Sequence, residues 1–337
     1  MTNNKVRMQR LEYLDIMKGV AIFLVLINHV LREISIQHPL DYYVSRFHMP
    51  FFFMLSGFLA INQIKKPLLR NVSSKFRSLM LPFFTCGISF ALTFNKLNEY
   101  IFNPYHAGYW FLFSLFTHWI IFLPLKHILY IMKLDRYIVI EFVVLISPFF
   151  LGNIIMYYLN DVTINSLTLS YTVSYYRFFI LGYFIGKFIL HAHENIFQFI
   201  ISHQICFSIC VIIFIGTSLI YITGNNITNI IPTTVWQLLL CLSLFGILYN
   251  YKLFLSEKLK KIFIHIGQNT LIIYTFHYFF LYTFTSIECK QLSSYGLQTI
   301  IGVIIIVIII MACIGVSSLF ACNKILSLLF LGRKSNK

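Results

Sequence analysis

The chain has 337 residues, of which 58% are hydrophobic and only 11% charged, with a mean hydropathy of +0.79. That much apolar surface exceeds what an ordinary soluble core can hide, so the composition excludes a soluble enzyme and specifies a polytopic membrane protein. The net charge of +15 would point to nucleic acid in a soluble domain, but no stretch resembles a nucleic-acid module, and orientation in a bilayer accounts for the charge better.

Taken in chain order, stretches of about twenty apolar residues predict an all-α bundle of ten transmembrane helices. They lie near 13–32, 47–64, 76–94, 107–125, 136–157, 172–190, 199–222, 230–250, 264–285 and 297–322. No long polar block interrupts them, so residues 1–337 read as a single integral domain. The leader through Arg10 is polar, and the first apolar run carries charge and lacks a small-residue cleavage site, so no cleavable signal peptide is expected.

The loops check the count. With the N-terminus inside, all but five of the 26 Lys and Arg residues fall in inner segments. The exceptions are Arg32, Arg46, Lys96 and Lys290 outside and Arg177 within a span. The positive-inside rule therefore places both termini in the cytoplasm. The outer connection around Asn225–Asn229 is uncharged, and the segment from Asn160 to Tyr171 is polar without being basic, which suits a segment dipping back into the protein. Of the seven cysteines, Cys86, Cys206, Cys210, Cys241, Cys313 and Cys322 sit in apolar runs and only Cys289 in a loop. This is no disulfide framework, and Cys206 and Cys210 lack the neighbours of a metal site.

Five places carry polar groups in or beside the membrane. In the first span, Asp15, Lys18 and His29 share one face, because eleven residues close three helical turns and leave Lys18 and His29 aligned ~16 Å apart. Such a stripe looks into protein or water rather than lipid. A structural ion pair with a core histidine explains it as well as a catalytic group does; a buried, neutral His29 is the form a general base needs. Arg46 and His48 precede Pro50 and Ser56-Gly57 at the outer start of span two, as interfacial anchors or substrate contacts. Lys75 and Arg77, before Pro82, form a cationic turn at the inner end of span three, suited to donor phosphates and equally to the positive-inside rule. Arg177 has no acid nearby in sequence, so its partner comes from another helix or a ligand unless it snorkels outward. Below it, Gly182 and Gly186 make a small-residue packing face. His277 follows Asn269 and Tyr274 in span nine, at a depth comparable to His29. Tyr109 and Trp110 read as aromatic-belt residues.

On these residues the chain resembles the acyltransferase 3 family of bacterial membrane acyltransferases, in its fucose 4-O-acetylase-like single-domain branch. The resemblance rests on Tyr13-Leu-Asp15-Ile-Met-Lys18-Gly-Val-Ala-Ile with His29, and on Phe47-His-Met-Pro-Phe-Phe-Phe-Met-Leu-Ser-Gly-Phe. The basic turn before Leu81-Pro82-Phe83, Tyr109-Trp110-Phe-Leu and Tyr274-xx-His277 add to it. It implies about ten helices in a bacterial plasma membrane and acyl transfer, usually acetyl from cytoplasmic acetyl-CoA as co-substrate, onto extracytoplasmic or lipid-linked sugars. No permanently bound cofactor, metal or nucleic acid is implied; the partners are acetyl-CoA, the glycan and membrane lipids. By position, His29 would be the essential histidine, as general base or in an acyl relay, Lys18 its basic partner and Arg77 a donor-binding cation; the reading of the residues themselves adds Asp15 to the catalytic group and Lys75 to the donor site. Arg46, His48, Arg177 and His277 would face the substrate in a cavity lined by spans one, two, three, six and nine. The paired arginines many members carry in span three are here Arg70, Lys75 and Arg77. A polysaccharide exporter or flippase is the alternative from a different class. A structural subunit gives no reason for the alignment of Asp15, Lys18 and His29.

Overall fold

The computed structural model describes residues 12–35, 38–63, 67–191, 204–222, 233–284 and 294–332. Among these residues there is no strand. The helices in chain order are α1 (Glu12–Ile34), α2 (Pro39–Ser45), α3 (His48–Phe58) with a 3-10 extension (Leu59–Gln63), α4 (Leu68–Lys75), a π-turn (Phe76–Met80) and α5 (Leu81–Thr93). Then come α6 (Leu97–Phe102), α7 (Trp110–Ile131), α8 (Ile138–Tyr158), α9 (Asp161–Ser166) and α10 (Leu169–His191). The chain continues through α11 (Gln204–Ile222), α12 (Thr233–Tyr249), α13 (Glu257–Gln268), α14 (Thr270–Phe284), α15 (Tyr295–Ala321) and α16 (Lys324–Leu331).

Helix covers each of the ten expected spans; their residues 64, 199–203, 230–232 and 285 lie outside the described set, as do Asn225–Asn229, Cys289 and Lys290. Among the described residues, six helical stretches are long and apolar enough to cross a bilayer: Glu12–Ile34, Pro39–Ile61, Leu68–Thr93, Trp110–Ile131, Ile138–Tyr158 and Tyr295–Ala321. α8 and α15 leave Val139, Leu151, Ile154, Ile304 and Met311 exposed in rows along their length. Apolar helix faces of that extent need lipid against them.

Three boundaries differ from the sequence expectation for physical reasons. The fourth span runs on to Ile131 because Lys126 is neutralised inside the protein rather than ending the helix in water. The ninth divides at Asn269: α13 is an amphipathic surface helix with Lys258 and Lys261 exposed, and the membrane-type run begins only at Thr270. The polar segment after Asn160 forms the exposed α9, capped by the Asn160 carboxamide on Thr163 N at 2.8 Å, and only Thr168 is buried.

Two compact units divide the chain. The first comprises the described residues of Met1–Leu55, Phe188–Ile273 and Thr283–Met311. Here α13 crosses α1 at backbone contact: a Cβ on Gly19 would run into the Phe263 carbonyl, and one on Gly267 into the Asp15 carbonyl. Glu12 ties the crossing down by pairing with Lys260 at 3.0 Å and accepting from the Tyr251 hydroxyl at 3.1 Å. α2 folds back on α1, its N-terminus capped by His38 Nδ1 on Leu40 N at 3.2 Å, while Tyr43 hydrogen-bonds Ser218 of α11.

The second unit comprises the described residues of Ser56–Lys187, Tyr274–Tyr282 and Ala312–Lys337. Gly57 packs directly on the Phe179 carbonyl, and Gly186 sits against Phe58. α16 returns onto α5, where the Thr85 hydroxyl donates to the Leu329 carbonyl at 2.9 Å. Glu141 of α8 is fully buried and accepts from Lys126 of α7, Lys187 of α10 and the Tyr183 hydroxyl at 2.7 Å. Such a cluster survives in a low-dielectric interior only because every member is paired.

Candidate functional site

In the first unit, α1 is a regular helix, and the expected face is carried by it. Asp15 is buried and pairs with Lys18 at 2.5 Å; Lys18 keeps about a quarter of its side chain exposed. His29 is half-buried toward the other end. Between them on the same face lie Ile22 and Val25, both fully buried. The stripe is thus polar at its two ends and filled in the middle, and Lys18 does not touch His29.

The residues flanking His29 are organised by an acid that sequence reading passed over. Asn28 donates to the Asp41 carboxylate and, at 3.2 Å, to its main-chain oxygen, and Arg32 approaches the same carboxylate at 3.5 Å. The neighbours at −1 and +3 of His29 are therefore locked to α2. The available signal was an acid in the first turn of a Pro-initiated helix directly after the histidine helix. Arg46 stacks on Tyr42 with its Cζ 4.6 Å from the ring centroid and donates to the Tyr42 hydroxyl at 2.5 Å. His48 is buried and faces inward; its Nδ1 donates to the Val44 carbonyl at 2.8 Å, which bridges the turn between α2 and α3.

In the second unit, Lys75 and Arg77 point to different partners. The Lys75 ammonium lies 3.7 Å from the centroid of the Trp119 ring, a cation–π contact on a buried indole. Arg77 sits in the π-turn and its Nε reaches the Ser73 carbonyl at 3.4 Å. The π-turn follows from Pro82, which cannot donate to the helix ladder; Leu81 N bonds back to the Phe76 carbonyl and the turn widens. His277 is fully buried, with Nδ1 donating to the Tyr274 carbonyl at 2.7 Å and its ring 4.1 Å from Tyr278.

The start of α7 departs from the aromatic-belt expectation. Tyr109 is fully buried and donates to the Thr275 carbonyl at 2.8 Å, while the Trp110 ring packs at a tilt against Tyr171 and Tyr175. Three consecutive residues just before it have left-handed backbone: His106 at φ 45°, Ala107 at φ 51° and Gly108 at φ 101°. Non-glycine residues pay for that conformation, and the surroundings hold it. Tyr274 donates to the Gly108 carbonyl at 2.8 Å, the Tyr278 ring covers the Gly108 Cα, and His106 Nδ1 donates to the Tyr100 carbonyl at 2.6 Å. Burial holds the His106 imidazole below its usual pKa, the backbone bond opposing in part. Arg177 lies with its Cζ 5.6 Å from the Phe149 ring and 5.3 Å from the Phe178 ring, and its Nε has no hydrogen-bond partner among the described residues. Among those residues, no group of three His, Cys, Asp or Glu side chains is placed to hold a metal ion.

The chain is thus a multi-pass helical protein with a half-buried histidine on its first helix and cationic groups at the π-turn between α4 and α5. Residues 11–321 match the family described as an acyltransferase domain, and the chain belongs to that family, acyltransferase 3. Neither a curated protein nor a solved structure matches the chain. The protein is a membrane acyltransferase.

Proposed function

We propose that this acyltransferase moves an acetyl group from cytoplasmic acetyl-CoA to a hydroxyl of a cell-surface polysaccharide or a lipid-linked sugar, in a bacterial plasma membrane. The observation that carries the reading is the family match across residues 11–321, which includes the helix bearing His29. The physical problem is that the thioester is confined to the cytoplasm while the glycan is displayed at or beyond the outer half of the bilayer.

His29 acts as general base. It takes the proton of the sugar hydroxyl as that oxygen bonds to the thioester carbonyl carbon; the carbon–sulfur bond then breaks and the proton passes to the departing thiolate, giving O-acetyl sugar and free CoA. Asn28 and Arg32, locked to Asp41, fix the stretch of α1 on which His29 sits. Arg77 and Lys75 meet the donor's phosphates, with Arg suited to bidentate contacts. Lys18, with its carboxylate partner, adds a cation about a quarter exposed, ~16 Å from His29 along the helix. That spacing calls for an extended donor arm rather than direct contact of lysine and histidine. Arg177, in the second unit, contacts the acceptor, whereas the buried His48 and His277 hold the turns they bond to.

A general base contributes ~10²–10⁴ in rate. Membranes carrying the His29→Ala protein, incubated with radiolabelled acetyl-CoA and surface glycans, should lose transfer by that factor while the protein remains inserted. Normal acetylation by that variant would overturn the assignment. Removal of the gene should strip acetyl groups from the glycan; unchanged composition with less glycan at the surface would support export instead.

A further inference from the structure

The second unit holds an aromatic cluster that the chemistry above does not use. Trp110 lies 4.8 Å from Tyr171 and 5.5 Å from Tyr175, and the two tyrosines stack 6.4 Å apart with their planes 17° from parallel. Tyr105 closes the row at 5.2 Å from Tyr171. The rings are graded outward: Trp110 is buried, Tyr171 and Tyr175 are half-buried, and Tyr105 is 53% exposed.

Their surroundings distinguish the cluster from a lipid-facing one. The residues that α10 exposes beside the tyrosines are Ser170 and Ser174, one helical turn apart, whereas lipid-facing α8 exposes Val, Leu and Ile. The exposed edge of the row is thus rimmed by hydroxyls. Such a surface suits a ligand with an apolar face and a polar rim, because tyrosine offers a large rigid face and a hydroxyl at its edge.

A cation borders the row through Phe178, whose ring is fully buried. Phe178 lies 6.4 Å from Tyr175, and the Arg177 guanidinium lies 5.3 Å from Phe178. Among the described residues no acid pairs with that guanidinium and its Nε is unsatisfied. A half-buried guanidinium without a counter-charge is expensive in a membrane protein unless something else brings the negative charge.

We propose that Trp110, Tyr171, Tyr175 and Tyr105 form a platform for a saccharide ring and that Arg177 holds an anionic group on that saccharide, a carboxylate or a phosphate. The inference rests on the reading of the acceptor as a sugar and narrows it to an acidic or phosphorylated one. The strained His106–Gly108 turn serves it by fixing where Tyr105 and Trp110 enter the row.

The test reads binding, not turnover, so it does not depend on the acyl-transfer assignment. The full chain in detergent is titrated with methyl glucoside, methyl glucuronide, glucose 1-phosphate and inorganic phosphate, with ligand contact followed by saturation-transfer NMR. At least one anionic sugar should bind about tenfold or more tightly than methyl glucoside. The glucuronide and the 1-phosphate arms separate a carboxylate from a phosphate. Arg177→Gln should erase that advantage while leaving methyl glucoside binding in place. Tyr105→Ala, at an exposed position, should weaken all three sugars. Equal binding of neutral and anionic sugars, inorganic phosphate binding as well as the sugars, or a Tyr105→Ala protein indistinguishable from the parent would each overturn the proposal. If sugars bind as expected while no acyl transfer to any glycan is found, the platform stands and the acceptor role falls.

Discussion

At the scale of single residues, the decisive feature is how each buried polar group is matched. His48, His106 and His277 each donate one ring nitrogen to a carbonyl three, four or six residues away. These are local bonds that hold turns and helix ends. His106 shows what such matching costs. Its burial favours the neutral ring and depresses its pKa. The unfolded chain therefore binds more protons than the folded one as pH drops below about 6.5. Stability from this site is complete above that value and is lost as pH falls toward the depressed folded value. Thermal unfolding in detergent at pH 7.5 and 5 should show a drop for the parent that is smaller for His106→Asn, asparagine being a residue that tolerates the left-handed backbone found there. An equal drop in both would show that His106 contributes none of it.

At the scale of elements, polar pairing decides which helices pack together and where they stop. Lys126, Lys187 and Tyr183 converge on Glu141, so α7, α8 and α10 are joined by one carboxylate. Hydropathy treats Lys126 and Lys187 as loop charges because the acid that neutralises them lies 15 and 46 residues away in the chain. Removing that acid leaves Lys187 without a carboxylate and the almost fully buried Lys126 with only Asp135, at 3.6 Å. Glu141→Ala should destabilise the protein by roughly 3–5 kcal/mol, read as a lowered Tm in detergent, whereas Lys187→Met should cost less because Lys126 and Tyr183 still satisfy the carboxylate. The crossing of α1 and α13 follows a different logic. Gly19 and Gly267 let the two backbones touch, and Asp15 with Lys18 is carried on the same turn of α1. The glycine at 19 is visible in the sequence motif, but its partner at 267 lies in a stretch whose apolar character reads as one continuous span. Asp41 escaped for a related reason: its importance comes from Asn28 and Arg32 on another helix, and its own neighbourhood marks it only as an acid in the first turn of a Pro-initiated helix.

At the scale of the whole molecule, the charge distribution along the chain predicts orientation. Inner segments hold nearly all the Lys and Arg, so both termini should be cytoplasmic. Reporter fusions at either end that are active only in the cytoplasm would check this, and a periplasmic signal from one end alone would require an odd number of crossings. The sequence by itself determined the membrane class, the helical stretches and the family. Each depends on hydrophobicity summed over about twenty residues or on residues close together in one motif, and both are local quantities. Only the tertiary structure decided that Tyr109 and Trp110 turn inward, that Lys75 rests on Trp119, and that Asp41 anchors the neighbours of His29. In a bilayer interior a polar side chain is defined by the partner that satisfies it, and that partner comes from another helix whose position no local pattern encodes.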